Sequence, residues 1–86
     1  MKVIDYQTMQ GGSVLGIFTL EIDKWGCFRV KLKHIKGKNG HFIAFPATKE
    51  DLQWVPLMGF EDEELTKKFL AQAKEALGKW LQENPL

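Results

Sequence analysis

Five basic side chains, Arg29, Lys31, Lys33, Lys36 and Lys38, follow one another in the sequence with no acid among them. Arg29, Lys31 and Lys33 alternate with Phe28, Val30 and Leu32. Alternation of period 2 places the charges on one face of a strand and the apolar residues on the other. Successive charges on such a face stand about 6–7 Å apart, twice the rise per residue. Phosphates along a single nucleic-acid strand have a comparable separation, so this pattern suits polyanion binding rather than covalent chemistry. Lys36 and Lys38 fall in the connection that follows and would extend the groove. Trp25, Phe45 and Trp54 offer rings on which bases can stack. The plainer reading of the same lysines is a solvated strand face, or charges that keep a sheet edge from pairing with another chain.

The remaining reactive side chains do not assemble into a catalytic pattern. His34 and His41 flank the same connection, but no third ligand or acid lies at a useful spacing, so they read as strand residues. Cys27 is the single cysteine, which rules out an internal disulfide and a thiolate cluster within one chain. With no activating base in view it reads as a small strand residue. Gly37-Lys38-Asn39-Gly40 lacks the full phosphate-loop pattern and the helix that must follow it. Glu50-Asp51 and the acids at 61–64 read as loop and helix-start charges. The expectation is a non-enzymatic protein without cofactor or metal.

The elements that must position these residues can be read in order. The 86 residues, 44% hydrophobic and 12% aromatic, predict a single folded domain over 1–86, with a sheet within 2–58 and a helix over 62–82. Net charge is +1, so the distribution of charge carries the argument and not its total. Met1 to Tyr6 lacks the apolar core of a signal peptide, and no run approaches the roughly 20 apolar residues of a membrane span. These features predict a soluble, cytoplasmic protein with no membrane partner. Residues 3–9 form a first strand, with Val3, Asp5, Gln7 and Met9 on one face and Ile4, Tyr6 and Thr8 on the other. Residues 14–22 form the strongest strand: Val14, Gly16, Phe18, Leu20 and Ile22 share one face, Leu15, Ile17, Thr19 and Glu21 the other. Gly16 within it signals a bend, a bulge or a close neighbour. Residues 23–26 turn the chain into a central hairpin of 28–33 and 41–45, joined by 36–40, where Asn39-Gly40 tolerates positive φ. Residues 47–51 are polar, and 52–58 give a short edge strand limited by Pro56.

The helix carries Leu65, Phe69, Ala73, Ala76, Leu77, Trp80 and Leu81 at spacings of three and four. Phe69 and Trp80 read as core or dimer contacts. Asp62 is the cap, Gly78 permits close packing, and Asn84-Pro85 is the stop. Lys67, Lys68, Lys74 and Lys79 lie off the stripe. The fold class is therefore α+β, a four- to five-stranded antiparallel sheet followed by one long C-terminal helix. One helix covers one sheet face. The other face, with Leu15 and Ile17, is left for a partner, and a homodimer buries it economically.

The run F-R-V-K-L-K-H-I-K-G-K-N-G-H-F-I-A-F-P, residues 28–46, resembles the hairpin of the SpoVG family, the stage V sporulation and septation regulators of bacteria. The similarity lies in Gly37, Asn39 and Gly40 of the connection and in Phe42, Ala44 and Pro46 of the exit, and a C-terminal helix follows in both. Trp54-Val55-Pro56-Leu57 stands where the family carries a His-Pro-Ile neighbourhood. The resemblance implies a small antiparallel sheet with a C-terminal helix, a homodimer, and nucleic-acid binding in a regulatory role. It also implies DNA contact near the last strand and the helix, which here hold Lys67, Lys68, Lys74 and Lys79. The order of elements further resembles the transcriptional-coactivator and Whirly class of single-strand binders. The site expected is Arg29, Lys31, Lys33, Lys36, Lys38, Trp25, Lys67 and Lys74, with DNA or RNA as partner. A different class of function, a protein-interaction module using the apolar sheet face or a sheet edge for β-augmentation, is the alternative.

Overall fold

The structure is a computed structural model that describes residues 1–23 and 28–85. The turn expected at 23–26 and the side chains of Trp25 and Cys27 fall largely or wholly outside these residues. Strands β1 (Lys2–Thr8), β2 (Val14–Ile22), β3 (Phe28–Gly37) and β4 (Gly40–Ala44) form an antiparallel sheet in chain order. A separate hairpin, β5 (Ala47–Glu50) and β6 (Gln53–Pro56), follows, and then helix α1 (Glu63–Glu83). The class is α+β, as the alternating runs and the helical stripe require.

β2 has the expected limits, and the faces of β3 are as expected: Val30 and Leu32 are buried, Arg29 and Lys31 exposed. β3 continues to Gly37, so Lys36 belongs to the strand and not to the connection. The turn is Lys38-Asn39, closed by the Gly37–Gly40 pair, and Gly40, at φ 127°, takes the left-handed backbone there while Asn39 does not. Two bulges correct the expected faces. β1 shifts register between Val3 and Asp5, so Val3 and Tyr6 both face the helix. β2 shifts between Val14 and Gly16, which pairs Val14 with Ile35 on the face away from the helix and leaves Leu15 as the extra residue. An inserted residue flips every later side chain, because the period is two.

The stretch 47–56 differs from expectation most. The polar residues hold β5, and β6 pairs with it rather than joining the main sheet. Asp51 (φ 45°) and Leu52 (φ 69°) make the turn. Positive φ at both central residues is the two-residue hairpin turn whose twist suits antiparallel strands, although it usually draws on glycine or asparagine.

Helix α1 starts where Asp62 accepts a hydrogen bond from the Glu64 N–H at 2.8 Å. It ends where the Asn84 side chain donates to the Trp80 carbonyl at 3.0 Å. Ala73 and Leu77 are its buried residues, and they close a core with Val3, Phe18, Leu20, Val30, Leu32 and Ile43. Phe69, Ala76, Trp80 and Leu81 pack at its margin, while Leu65 is 51% exposed. Gly78 allows no close packing: a Cβ placed there meets nothing within 4 Å. No helix among the described residues is long and apolar enough to cross a membrane.

Candidate nucleic-acid interface

The sheet face away from the helix carries Arg29, Lys31 and Lys33 on β3, opposite Glu21, Thr19 and Ile17 of β2 respectively. Glu21 is held against the sheet and gathers two of the positive charges. Arg29 Nε donates to its Oε2 at 3.2 Å, and Lys2 Nζ lies 3.9 Å from its Oε1. Both cations remain largely exposed, with side-chain exposure of 63% and 72%. The shared Glu21 side chain is only 14% exposed, so a competing anion must draw the cations from a carboxylate held against the sheet. These are the ion pairs among the described residues, which leaves Lys31 and Lys33 without a carboxylate partner there. Lys31 borders a shallow depression of about 170 Å³ with Asp5, Gln7, Ile17 and Thr19. Lys2, Arg29, Lys31 and Lys33 against Asp5 and Glu21 leave a positive surplus on this face.

The other expected site residues do not join the stripe. Lys36 pairs with His41 in the register that carries His34 and Ile43, the helix side of the sheet. Lys38 is exposed at the turn. Lys67 and Lys74 are exposed on α1, which covers the face opposite Arg29, Lys31 and Lys33. The structure therefore divides the expected site into two basic zones, one on the open face and one along the helix. Of the candidate stacking rings, Phe45 is taken up within the molecule: it lies parallel to Phe69, with centroids 5.7 Å apart. Trp54 is 70% exposed, on the β5–β6 hairpin. Trp25 lies outside the described residues.

A polar chain that the spacing of residues did not reveal runs beneath the helix. Tyr6 Oη is 2.9 Å from His34 Nδ1, and His34 Nε2 is 3.1 Å from His41 Nδ1. Gly16 makes this possible, because the Tyr6 ring lies directly over its Cα, where any Cβ would collide with Cε1, Cζ and Oη. Trp80 covers the same ring from the helix, stacked at 5.9 Å and 20°. His34 is 6% exposed. Burial lowers its pKa, and the nearby His41 and Lys74 lower it further, so the ring is neutral at pH 7. Burial raises the Tyr6 pKa, which keeps the phenol protonated. A neutral imidazole carries one N–H, so the two bonds of His34 run in a single direction: one ring nitrogen accepts and the other donates. The signal for this site was the parity of His34, which matches that of the buried Val30 and Leu32. No group of three His, Cys, Asp or Glu side chains able to hold a metal occurs among the described residues.

No protein family, curated protein or solved structure matches this chain.

Proposed function

We propose that this chain is a nucleic-acid-binding protein of SpoVG-like type, acting as a homodimer in a regulatory or strand-binding role. The observation that carries the reading is the open sheet face, where Lys31 and Lys33 lack an ion-paired carboxylate among the described residues and Arg29, paired with Glu21, keeps 63% of its side chain exposed. The resemblance of residues 28–46 to the SpoVG hairpin supports the same reading. Contacts are to phosphates, so binding is electrostatic and salt-dependent. The protein is not an enzyme in this reading, needs no cofactor, and works in the cytoplasm.

Titration of a fluorescent single-stranded oligonucleotide and of its duplex, at low and at raised salt, tests it. Affinity should fall with salt by a slope of about −0.7 per neutralised phosphate on a single strand. Replacing Arg29, Lys31 and Lys33 together with alanine should weaken binding and flatten that slope by about two to three contacts, without unfolding the domain. Binding that is indifferent to salt, or unaffected by the triple replacement, refutes the reading. A second reading, a protein-interaction module without nucleic acid, draws on the exposed Leu52 (88%), Trp54 (70%) and Leu57 (63%). Capture of partners from lysate that survives nuclease treatment favours that alternative.

A further inference from the structure

We propose that the β5–β6 hairpin is an exchange arm that docks into an apolar groove on a second copy of this chain. The inference rests on the dimeric part of the reading above and does not depend on nucleic acid. Three observations carry it.

The hairpin is half-buried only at Ala47 and Thr48, the base of β5. Its two strands pair with each other, every residue of β6 is exposed, and Leu52, Trp54 and Leu57 present most of their apolar surface to solvent. An isolated two-stranded hairpin is at best marginal in water, and a turn built on Asp51 and Leu52 with positive φ adds strain. Its geometry calls for a surface to lie on.

Such a surface is present on the same molecule. A groove of about 610 Å³ opens between the sheet end and the first half of α1, walled by Ile22, Phe28, Phe45, Phe60, Leu65 and Phe69. Phe28, Phe60 and Leu65 are 49%, 47% and 51% exposed, so the described residues leave the wall unfilled. The volume is that of a pocket for a drug-sized molecule, enough for an indole and a leucine side chain together. Lys68 and Asp23 both line the groove, so its charges cancel and the apolar walls carry the fit to the arm.

The arm and the groove also share a root. Phe45 and Met58 to Phe60 line the groove and flank the hairpin, which is closed at its base by the Leu57 N–H donating to the Pro46 carbonyl at 2.8 Å. A twofold axis beside that root lays each arm over the partner's groove, and such an exchange closes at two copies. Aromatic side chains bury about 150–250 Å² each, so the exposed parts of Trp54, Phe28 and Phe60 come to roughly 250–400 Å² per copy. Doubled by the symmetry and joined by Leu52, Leu57 and Leu65, the contact reaches the roughly 1,000 Å² of a specific interface.

The test is sedimentation equilibrium of the full chain without nucleic acid, for the wild type, an arm variant Trp54→Ser, a groove variant Leu65→Glu, and an equal mixture of the two variants. Both substituted side chains are exposed, and melting curves should confirm that each variant folds. The wild type should sediment near twice the 9.9 kDa of one chain. Each variant alone should dimerise at least tenfold more weakly. The mixture should recover dimer, because one intact arm then meets one intact groove. A wild type that stays monomeric at about 100 µM overturns both the arm exchange and the dimeric reading. A dimer indifferent to Trp54→Ser, or weakened by Trp54→Ser but not by Leu65→Glu, overturns the arm exchange alone and assigns the contact to the sheet face or to arm–arm pairing.

Discussion

Replacing Gly16 with alanine tests the packing beneath the helix at its tightest point. The added methyl occupies the space of the Tyr6 ring, so the ring must move. Two interactions leave with it. The hydroxyl bond to His34 is one, and since His34 is 6% exposed, water replaces it poorly, at a loss of ~1–3 kcal/mol. The stack on Trp80 is the other, worth ~0.5–1.5 kcal/mol. Against these, alanine restricts the unfolded chain and returns ~0.5–1 kcal/mol. The net expectation is a destabilisation of ~0.5–4 kcal/mol. For a domain of this size each kcal/mol lowers Tm by about 4–8 °C, so the change is easily read by circular dichroism. The decisive arm is the same substitution in a Tyr6→Ala background. With the ring absent the collision is gone, only the unfolded-state term remains, and Gly16→Ala should stabilise by ~0.5–1 kcal/mol. Thermal and urea melts of the four proteins give the coupling directly. Equal destabilisation by Gly16→Ala in both backgrounds would refute the placement of Tyr6 over Gly16.

Gly78→Ala should act in the opposite sense, because the position is exposed in the helix interior and a Cβ there meets nothing; a gain of ~0.8–1 kcal/mol and a rise in Tm of about 4–8 °C are expected in the same melts. Stability should also fall on mild acidification. His34 has a folded pKa below its ordinary value of about 6.5, so the unfolded chain takes up the proton first. Its contribution is full above about pH 6.5 and is lost as pH falls from there through the folded value. Urea melts from pH 7.5 to 5 should show that limb, and His34→Gln should flatten it; an unchanged slope in His34→Gln assigns the acid limb to other groups.

What could be read from the sequence follows from where burial is one-sided. Residues 28–33 alternate cleanly because Val30 and Leu32 meet the core while Arg29 and Lys31 meet solvent. The helix was legible for the same reason, and its ends were marked by Asp62 and Asn84. The bulges at Ile4 and Leu15 were not, because an extra residue changes the parity of a strand without requiring any particular side chain. The β5–β6 hairpin was hidden by its turn: Asp51-Leu52 adopts a backbone that ordinarily advertises itself through glycine. The polar chain under the helix joins Tyr6 to His34 and His34 to His41 across strands whose register the sequence leaves open. Besides the parity of His34, Gly16 pointed toward it, as a position needing a close neighbour.

The two proposed surfaces are compatible because they use different sides of the sheet. The groove is walled by Ile22 and Phe28, which share the helix-facing side with Leu20 and Val30, and by α1 itself. The basic stripe is on the reverse. Arms exchanged through the groove therefore leave both stripes of a dimer uncovered. Glu21 then sets how each stripe behaves. It draws Lys2 and Arg29 together at the β1–β2–β3 end of the face, while Lys31 and Lys33 continue the row without an acid of their own among the described residues. On the proposed function a phosphate at Lys33 would meet no ion-paired carboxylate among the described residues, one at Lys31 would have Asp5 across the same depression, and one at Arg29 would compete with Glu21. On the proposed function each stripe alone would offer few phosphate contacts and hence weak, salt-sensitive binding. Two stripes joined by one dimer make the second contact intramolecular, and a strand long enough to reach both would bind far more tightly than either face does alone.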